Sequence, residues 1–182
     1  MTQNDEKLNA LPDELTTERL NLRRPTVADK ADIVAALDNL NVTKWLSVVP
    51  HPYSDADADD FLEYCTEPGN QNYVIRQQGA FCGVIGLDGG NRLGFWLAED
   101  FWGLGIMSEA VKVVIDGYFL AGNQQDLQSG YVMGNRGSER IHEKFGFVDL
   151  YEKVIHVKAL GEDRPGMDLV LNRATWAEMG AS

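Results

Sequence analysis

The sequence predicts a single mixed α/β domain, and three observations support this prediction. The chain has 182 residues, which is about the length of one domain. Of these residues 44% are hydrophobic and 24% are charged, as in ordinary compact soluble proteins. Hydrophobic spacing changes from helical to alternating near residue 72 and returns to helical near residue 105. We therefore expect one domain over residues 15–182, preceded by a flexible acidic tail at residues 1–14.

The first third of the chain predicts one strand and three helices. Leu20 and Leu22 alternate with polar residues, which indicates a half-exposed strand. Thr26 and Asp29 have the spacing of a capping box, in which two side chains satisfy amide groups at a helix start. The predicted elements are a strand at residues 17–23, helices at 26–40, 41–46 and 54–65, and a proline-containing loop at 48–53.

The rest of the chain predicts a strand meander followed by alternating helices and strands. Three short runs are separated by glycine-containing turns at residues 78–79 and 88–91, which is typical of antiparallel hairpins. An apolar helical face then extends from Ile106 to about Leu120. The predicted elements are strands at 72–77, 81–87, 92–97, 128–133, 147–158 and 167–171, with helices at 106–120 and 138–145.

The charge balance is acidic and excludes some classes of partner. Acidic residues outnumber basic ones by 28 to 16, which gives a net charge of −12. Nucleic-acid phosphates require clustered Lys and Arg, so we expect no nucleic-acid partner. An acidic surface instead raises the local concentration of cations, which favours amine substrates. The sequence lacks an apolar run long enough for a membrane span and the features of a signal peptide, so we expect a cytoplasmic protein without membrane association.

The cysteines indicate no special chemistry. Cys65 and Cys82 form no C-x-x-C pair and no cluster with histidine. This spacing predicts neither a disulfide framework nor a zinc site. We therefore expect two buried, reduced thiols and no bound metal.

The segment most informative about chemistry is the loop at residues 102–107, between a predicted strand and a predicted helix. Gly103 and Gly105 permit a tight turn in which successive N–H groups point into one concavity. Such a concavity at a helix N-terminus binds phosphate. On its own the G-x-G spacing is more often an ordinary tight turn, so the neighbouring motifs must decide.

Three motifs occur in order along the chain. They are Thr17-Glu-Arg-Leu-Asn-Leu-Arg, then Leu93-Gly-Phe-Trp-Leu leading to Phe101-Trp-Gly-Leu-Gly-Ile-Met-Ser-Glu-Ala, and then Asn135-Arg-Gly-Ser-Glu-Arg-Ile-His-Glu-Lys-Phe-Gly-Phe147. With them the sequence resembles the GNAT superfamily of acetyl-CoA-dependent N-acetyltransferases, and within it the RimJ/RimL-like branch, over residues 17–172. The resemblance implies a GNAT-type α/β (α+β) fold. Its mostly antiparallel sheet of six to seven strands is splayed in the middle and flanked by four to five helices.

The resemblance also implies that acetyl-CoA is the co-substrate and that residues 102–107 hold its pyrophosphate. Gly103 and Gly105 match the two central glycines of the family loop, whereas other members often have different residues at the positions of Trp102, Leu104 and Met107. The end of the preceding strand would pair with the pantetheine arm, as an added strand does. The cofactor-binding residues implied in this way are Leu97, Ala98, Trp102, Gly103, Leu104, Gly105, Ile106, Met107, Asn135 and Ser138.

Transfer of an acyl group from a thioester to an amine needs a base for the ammonium and an acid for the leaving thiolate. The resemblance makes Ser138 the candidate acid and places Asn135 at the cofactor, although a turn residue and a cap at a helix start are equally ordinary roles for them. His156 is the candidate base because imidazole titrates near neutrality. A solvent-facing strand position would leave His156 without that role, and deprotonation through a water chain is equally compatible. A backbone amide near Ala98 would stabilise the oxyanion, and Arg92 lies near the position where some members carry a carboxylate.

Trp45, His51 and Tyr53 lie in the segment that lines the acceptor side in this family. They are therefore candidate substrate-binding residues. A packed loop anchor is at least as ordinary a role for Trp and Tyr, which are commonly half-buried.

The expected function is that of an N-acetyltransferase, which moves an acetyl group from acetyl-CoA to a primary amine by direct attack in a ternary complex. The acceptor would be a protein N-terminus or a small amine. An alternative from another class is a non-catalytic acyl-CoA-binding sensor or interaction domain, which the absence of the usual strand carboxylate supports. The long C-terminal strands present edges on which a homodimer could form.

Overall fold

The structure of the protein, a computed structural model, describes residues 9–89 and 91–180. Its strands are β1 (Glu14–Thr16), β2 (Leu20–Arg23), β3 (Gln71–Gln77), β4 (Ala80–Asp88), β5 (Arg92–Leu97), β6 (Leu127–Val132), β7 (Val148–Val157) and β8 (Glu162–Leu171). Its α-helices are α1 (Lys30–Leu37), α2 (Leu40–Thr43), α3 (Asp55–Tyr64), α4 (Ile106–Leu120), α5 (Arg136–Lys144) and α6 (Arg173–Gly180).

All eight strands form one sheet in the order β1-β2-β3-β4-β5-β6-β8-β7. Neighbouring strands are antiparallel except β5 and β6, which are parallel and pair, within the described residues, only at Arg92 and Gln128. The sheet is therefore splayed between β5 and β6. This confirms the predicted mixed, mostly antiparallel sheet, with eight strands and six helices where slightly fewer of each were expected.

Helices cover both faces of the sheet. Phe95 and Leu97 of β5 pack against the larger core cluster beneath α4, whereas Trp96 between them packs against a second cluster formed by α1, α2 and α3. Alternate strand residues point to opposite faces, so these clusters lie on opposite sides of the sheet. No helix in the described part of the chain is long and apolar enough to cross a membrane.

Asp29 joins β2, β3 and the start of α1. Its fully buried carboxylate accepts hydrogen bonds from Arg23 at 2.7 and 2.8 Å, from Arg76 at 2.8 Å and from the Thr26 amide at 2.9 Å. Burial alone would raise the pKa of Asp29, but the bonds from the two arginines outweigh it and hold that pKa well below its usual range. The capping box predicted at Thr26 is present, and it precedes a 3-10 turn at Val27–Asp29 rather than α1 itself.

The expectation of a flexible tail through residue 14 is wrong from residue 9 onward. Leu11 is 3% exposed within the main core, and its amide donates to the Gln71 side chain at 2.6 Å. The hydroxyl of Tyr73 donates to the Pro12 carbonyl at 2.7 Å. This segment is ordered by polar side chains of β3, which composition does not reveal. The remainder of the predicted tail, residues 1–8, lies outside the described residues.

Helix α6 was not predicted and closes one side of the core. The side chain of Asn172 caps its start by accepting from the Thr175 amide at 2.9 Å. Trp176 stacks on Phe119 of α4 with ring centroids 5.1 Å apart, and its indole N–H donates to Asp116 at 2.9 Å. Helix α6 thus lies against α4, the helix that follows the glycine loop.

Both cysteines are free thiols, as expected. Cys82 is buried, whereas Cys65 is only partly buried and therefore departs from the prediction. Burial nevertheless raises the pKa of Cys65 to about 12, so this thiol is unreactive at neutral pH. Among the described residues, no group of His, Cys, Asp and Glu side chains is placed to hold a metal ion.

Candidate functional site

A gap opens in the sheet where β5 and β6 diverge. At its closed end the Gln128 amide donates to the Asn91 carbonyl at 2.9 Å. One residue further, a side chain spans the two strands, because Oγ of Ser129 lies 2.9 Å from the Leu93 carbonyl. Beyond this point the edge of β5 faces the gap, which leaves room for an extended ligand between the strands.

The backbone of Leu97 faces this gap. The Ala98 amide donates to the Cys82 carbonyl of β4 at 2.9 Å, and Leu97 is opposite Gly83 in the register. Opposed residues in antiparallel strands alternate between hydrogen-bonded and non-bonded pairs, so the N–H and C=O of Leu97 point away from β4. The expected oxyanion donor was a backbone amide near Ala98, and the amide of Ala98 itself is already paired. The donor directed into the gap belongs to Leu97.

Trp102 begins the loop and contacts the same backbone. Its indole N–H donates to the Leu97 carbonyl at 3.0 Å, although 42% of the residue is exposed. Trp102, at a position where other family members often have a different residue, thus ties the loop to the end of β5. One of the two gap-facing polar groups of Leu97 is already satisfied, which leaves its N–H.

The glycine loop has the geometry of an anion site. Gly103 and Gly105 have φ of +75° and +76°, a region that only glycine adopts readily. The first bond within α4 runs from the Glu109 amide to the Gly105 carbonyl at 3.2 Å, so the amides of residues 106–108 have no partner within the helix. The side chains of Ile106 and Met107 are buried in the core, so those two residues offer only backbone N–H groups to a ligand. The exposed side chain of Leu104 supplies no charge.

A cavity of about 570 Å³ opens beside this loop, and α4 and α6 contribute to its lining. Gly105 and Ser108 line it at the start of the helix, and three of its other lining side chains are the cations of Arg19, Lys112 and Lys144. Two carboxylates also line it, which leaves an excess of one positive charge. In a chain with net charge −12, this local excess favours an anionic ligand.

Asn135 and Ser138 both lie at the start of α5. The Asn135 side chain accepts from the Ser138 amide at 3.2 Å, so Asn135 caps the helix. The alternative roles had been a turn residue for Asn135 and a cap for Ser138, and the structure gives the cap to Asn135. Ser138 is only partly buried, and its Oγ lies 3.5 Å from Nδ1 of His142. The structure thus brings a hydroxyl close to a buried imidazole.

His142 is a central residue of the site that sequence reasoning missed. It is 1% exposed, its Nδ1 lies 2.8 Å from the Ser138 carbonyl, and its Nε2 lies 2.7 Å from Oγ of Ser129. Burial lowers the pKa of His142 to about 4, so the ring is neutral at pH 7. The available signal was its position four residues after Ser138, which places both on one helix face.

Arg92 of β5 lies near the position where some family members carry a carboxylate, and it contacts a carboxylate from another strand. Asp168 of β8 accepts from Arg92 at 2.7 Å, from Lys153 at 2.6 Å and from the Tyr151 hydroxyl at 2.9 Å. A Cβ on Gly130 of β6 would stand 2.7 Å from this carboxylate, so the glycine makes room for the Arg92 pair. Burial would raise the pKa of Asp168, but the three donors outweigh it and lower that pKa. A carboxylate held in this way is a weak base.

Of the predicted acceptor residues, Trp45 is the one the structure brings to α5. Its ring lies 3.8 Å from where a Cβ on Gly134 would stand, directly before Asn135. Nearby, the Lys158 amide donates to the Ser47 carbonyl at 3.0 Å, which fixes the loop after Trp45 to the turn between β7 and β8. Trp45 is half-buried, so its ring is partly available to a ligand.

The other two acceptor candidates, Tyr53 and His51, and the candidate base His156 lie elsewhere. Tyr53 is buried in the smaller core cluster and donates to the Asp57 carbonyl at 3.1 Å, so it is a packing residue and the substrate-binding prediction for it is wrong. Nδ1 of His51 lies 3.7 Å from the Asp38 carboxylate. His156 is exposed on β7, and its Nδ1 lies 2.8 Å from Asp163 across the hairpin. Its described contacts do not reach Ser138.

Comparison with known proteins identifies the family of this chain. The chain matches the acetyltransferase (GNAT) domain family over residues 19–148. YdaF of Bacillus subtilis (strain 168), provisionally named a ribosomal N-acetyltransferase, is 25% identical over 144 residues, which are 71% of this chain and 77% of YdaF.

Two solved structures with bound ligands share the fold. The spermidine N-acetyltransferase of Vibrio cholerae, in complex with CoA and spermine, superposes with a TM-score of 0.76 at 16% identity and covers 88% of this chain and 99% of its own. RimL, a ribosomal L7/L12 alpha-N-protein acetyltransferase in complex with coenzyme A, gives a TM-score of 0.73 at 15% identity, with 89% and 97% covered. Because the family match spans most of the chain and the splayed sheet agrees with it, the chain belongs to the GNAT family of acetyltransferases and is an N-acetyltransferase.

Proposed function

We propose that this protein transfers an acetyl group from acetyl-CoA to a primary amine by direct attack within a ternary complex. The observation that carries the proposal is the placement of the gap between β5 and β6 beside the loop of residues 102–105. In that loop two glycines with positive φ precede the unpaired amides of α4. A single extended ligand with an anionic middle section fits both features.

The pyrophosphate of acetyl-CoA would accept hydrogen bonds from the loop and from the first amides of α4. The pantetheine arm would lie along the gap beside the Leu97 backbone. The nucleotide end would then reach the cavity that contains Lys112 and Lys144. Binding of the pyrophosphate does not need the basic side chains that other family members carry in this loop, because the backbone amides and the helix dipole supply the favourable potential.

The acyl transfer would use two groups of this site. The Leu97 N–H points into the gap and would stabilise negative charge on the thioester oxygen as the amine attacks. Ser138 would give its hydroxyl proton to the departing sulfur and regain one from the water that takes up the proton of the amine. His142 and Asp168 do not suit the role of base, because one is bonded to two serines and the other is held by three donors. We propose deprotonation of the amine through water, because His156 is exposed on β7 and paired with Asp163 away from Ser138.

The acceptor would be a cationic primary amine, either a protein N-terminus or a small polyamine. The solved structures that share the fold include an enzyme for each class, one named for spermidine and one for the N-terminus of a ribosomal protein. The net charge of −12 favours approach of either. The non-catalytic alternative is not retained, because the chain is an N-acetyltransferase by family. Arg92 in place of a strand carboxylate, and its pairing with Asp168, are instead the reason to assign deprotonation to water.

Calorimetric titration with acetyl-CoA tests the proposal, followed by thiol release against N-terminal peptides and polyamines in the same preparation. We expect binding, and thiol release with one class of amine. Binding without thiol release from any of these amines would contradict the proposed transfer to a primary amine. Absence of binding would contradict the loop assignment and leave the family relationship informative about fold alone.

A further inference from the structure

The turn between β1 and β2 contacts the start of α4, almost ninety residues away in sequence. The Thr17 amide donates to the Leu20 carbonyl at 3.0 Å, and the Leu20 amide donates back to the Thr17 hydroxyl at 3.0 Å. This exchange of hydrogen bonds makes a tight turn. The side chains of Thr17 and Arg19 project from it toward the first turn of α4.

Glu109 of α4 receives this turn. Its carboxylate accepts from the Thr17 hydroxyl, from the Arg19 amide at 3.1 Å and from Nε of Arg19 at 2.6 Å. Burial opposes ionisation of Glu109, but the bonds from Thr17 and Arg19 outweigh it, so its pKa lies below the usual range. The carboxylate is therefore charged at neutral pH, and it fixes the guanidinium of Arg19 in one orientation.

The same guanidinium holds the glycine loop. Nη1 of Arg19 donates to the Leu104 carbonyl at 3.2 Å. The C=O of Leu104 and the N–H of Gly105 belong to one planar trans peptide, so they point in opposite directions. By holding the carbonyl on its own side, Arg19 turns the Gly105 N–H to the other side. That amide belongs to the loop proposed to hold the pyrophosphate.

Gly105 lies beside the same guanidinium. A Cβ on this residue would stand 3.5 Å from Nη2 of Arg19, which is an ordinary contact, whereas its φ of +76° disfavours any side chain. Arg19 is therefore joined to the loop backbone through its hydrogen bond to Leu104. Movement of Arg19 would be transmitted to the peptide between Leu104 and Gly105.

We propose that Arg19 is a positioning residue for acetyl-CoA, and that Thr17, Arg19 and Glu109 form a clamp which orients the Gly105 amide before the pyrophosphate binds. This inference rests on the proposed function of the loop. It assigns a role to the first sequence motif, which contributes no group to the acyl transfer itself. It also differs from direct binding of phosphate by Arg19, because the carbonyl and the amide face opposite sides of the peptide.

Two substitutions separate positioning from direct charge attraction. Arg19→Lys keeps the charge but loses the paired N–H groups that join Glu109 to Leu104, so the clamp predicts a rise of about tenfold in the Kd and KM for acetyl-CoA. Glu109→Gln removes a negative charge near the anion, so direct attraction predicts tighter binding, whereas the clamp predicts at least threefold weaker binding. In both variants kcat at saturating acetyl-CoA and the KM for the amine should stay within about twofold of wild type.

S-Acetylpantetheine provides a readout that a general structural role would not change. It carries the thioester and the amide arm but no pyrophosphate, so its kcat/KM should be the same in wild type, Arg19→Lys and Glu109→Gln. Arg164→Lys is the matched control, since Arg164 forms an exposed ion pair with Glu162 on β8. It should leave all constants unchanged.

The outcomes distinguish this inference from the proposed function. If wild type binds acetyl-CoA and Arg19→Lys binds it equally well, or if Glu109→Gln binds more tightly, the clamp is wrong and the proposed function stands. If wild type does not bind acetyl-CoA, both are wrong. If either variant unfolds, Thr17→Val provides a further test, because it removes one hydrogen bond to Glu109. It should weaken acetyl-CoA binding about twofold, without effect on S-acetylpantetheine. An unchanged Kd for acetyl-CoA would overturn the clamp.

Discussion

The buried imidazole of His142 makes the stability of this protein depend on pH. Burial lowers its pKa from 6.5 to about 4 in the folded protein, and the bond to the Ser138 carbonyl offsets this only in part. As pH falls, the unfolded chain therefore takes up a proton before the folded one does. The free energy of unfolding is fully retained above pH 6.5 and is lost progressively as pH falls toward 4.

The magnitude follows from the two pKa values of His142. Protonation of the unfolded chain with a pKa of 6.5, against about 4 in the folded state, removes about 2 kcal/mol between pH 7 and pH 5. Most carboxylates in unfolded chains titrate below about pH 4.5, so most of their titration lies outside this interval, and comparison with a His142 variant separates the contribution of His142. Urea unfolding at pH 7, 6 and 5, followed by circular dichroism, measures it.

Substitution of His142 tests the reasoning. His142→Gln keeps a hydrogen-bonding side chain without a titrating group, so its unfolding free energy should change by well under 1 kcal/mol between pH 7 and pH 5. Equal pH dependence in wild type and His142→Gln would refute the conclusion that a buried neutral His142 causes the slope.

Three further substitutions have defined outcomes. Gly105→Val should abolish acetyl-CoA binding in calorimetry because φ is +76°, whereas Gly161→Val, at a turn with φ of +65° and open space around it, should bind normally. Ser138→Ala should lower kcat about 100-fold while changing the acetyl-CoA Kd less than threefold; an equal loss in both would make Ser138 a structural residue only. Asp29→Ala should lower the free energy of unfolding by about 3 kcal/mol in urea titration, because two arginines lose their buried partner, and a change below 1 kcal/mol would contradict that account.

Local patterns predicted most of the elements because local physics determines them. The capping residues of α3 and the helical spacing of α4 agree with the structure to within one or two residues. The loop between β5 and α4 could be located from the sequence because glycine lacks a Cβ and adopts positive φ readily, whatever its neighbours are. Gly103 and Gly105 do have positive φ in the structure. The splayed sheet followed from the resemblance, since no local pattern shows which strands part.

The parts that were missed depend on partners distant in sequence. Strand β1 has three residues and exists because β2 pairs with it, and α6 is held by Trp176 against Phe119. Tyr53 was a candidate substrate contact because its segment lines the acceptor side in the family that the sequence resembles, yet packing among α1 to α3 buries it. His142 looked like one polar residue in a charged helix, and only the fold places Ser129 against its ring.

The contacts from Ser138 through His142 and Ser129 to Leu93 have a consequence that appears when their hydrogens are counted. Both ends are backbone carbonyls, which only accept. The three contacts, at 2.8, 2.7 and 2.9 Å, need three hydrogens, whereas a neutral imidazole and a hydroxyl supply two.

One of these contacts is therefore always without a hydrogen at neutral pH. In one tautomer of His142 the ring donates to the Ser138 carbonyl and Ser129 donates to the ring, which releases Leu93. In the other the ring donates to Ser129, and Ser129 donates to Leu93 and ties β5 to β6. The floor of the gap thus has two bonding arrangements with the same heavy atoms. The His142–Ser129 bond joins α5 to β6 in both, and a shift of one hydrogen decides whether the ring also bonds to the Ser138 carbonyl within α5 or Ser129 ties β5 to β6.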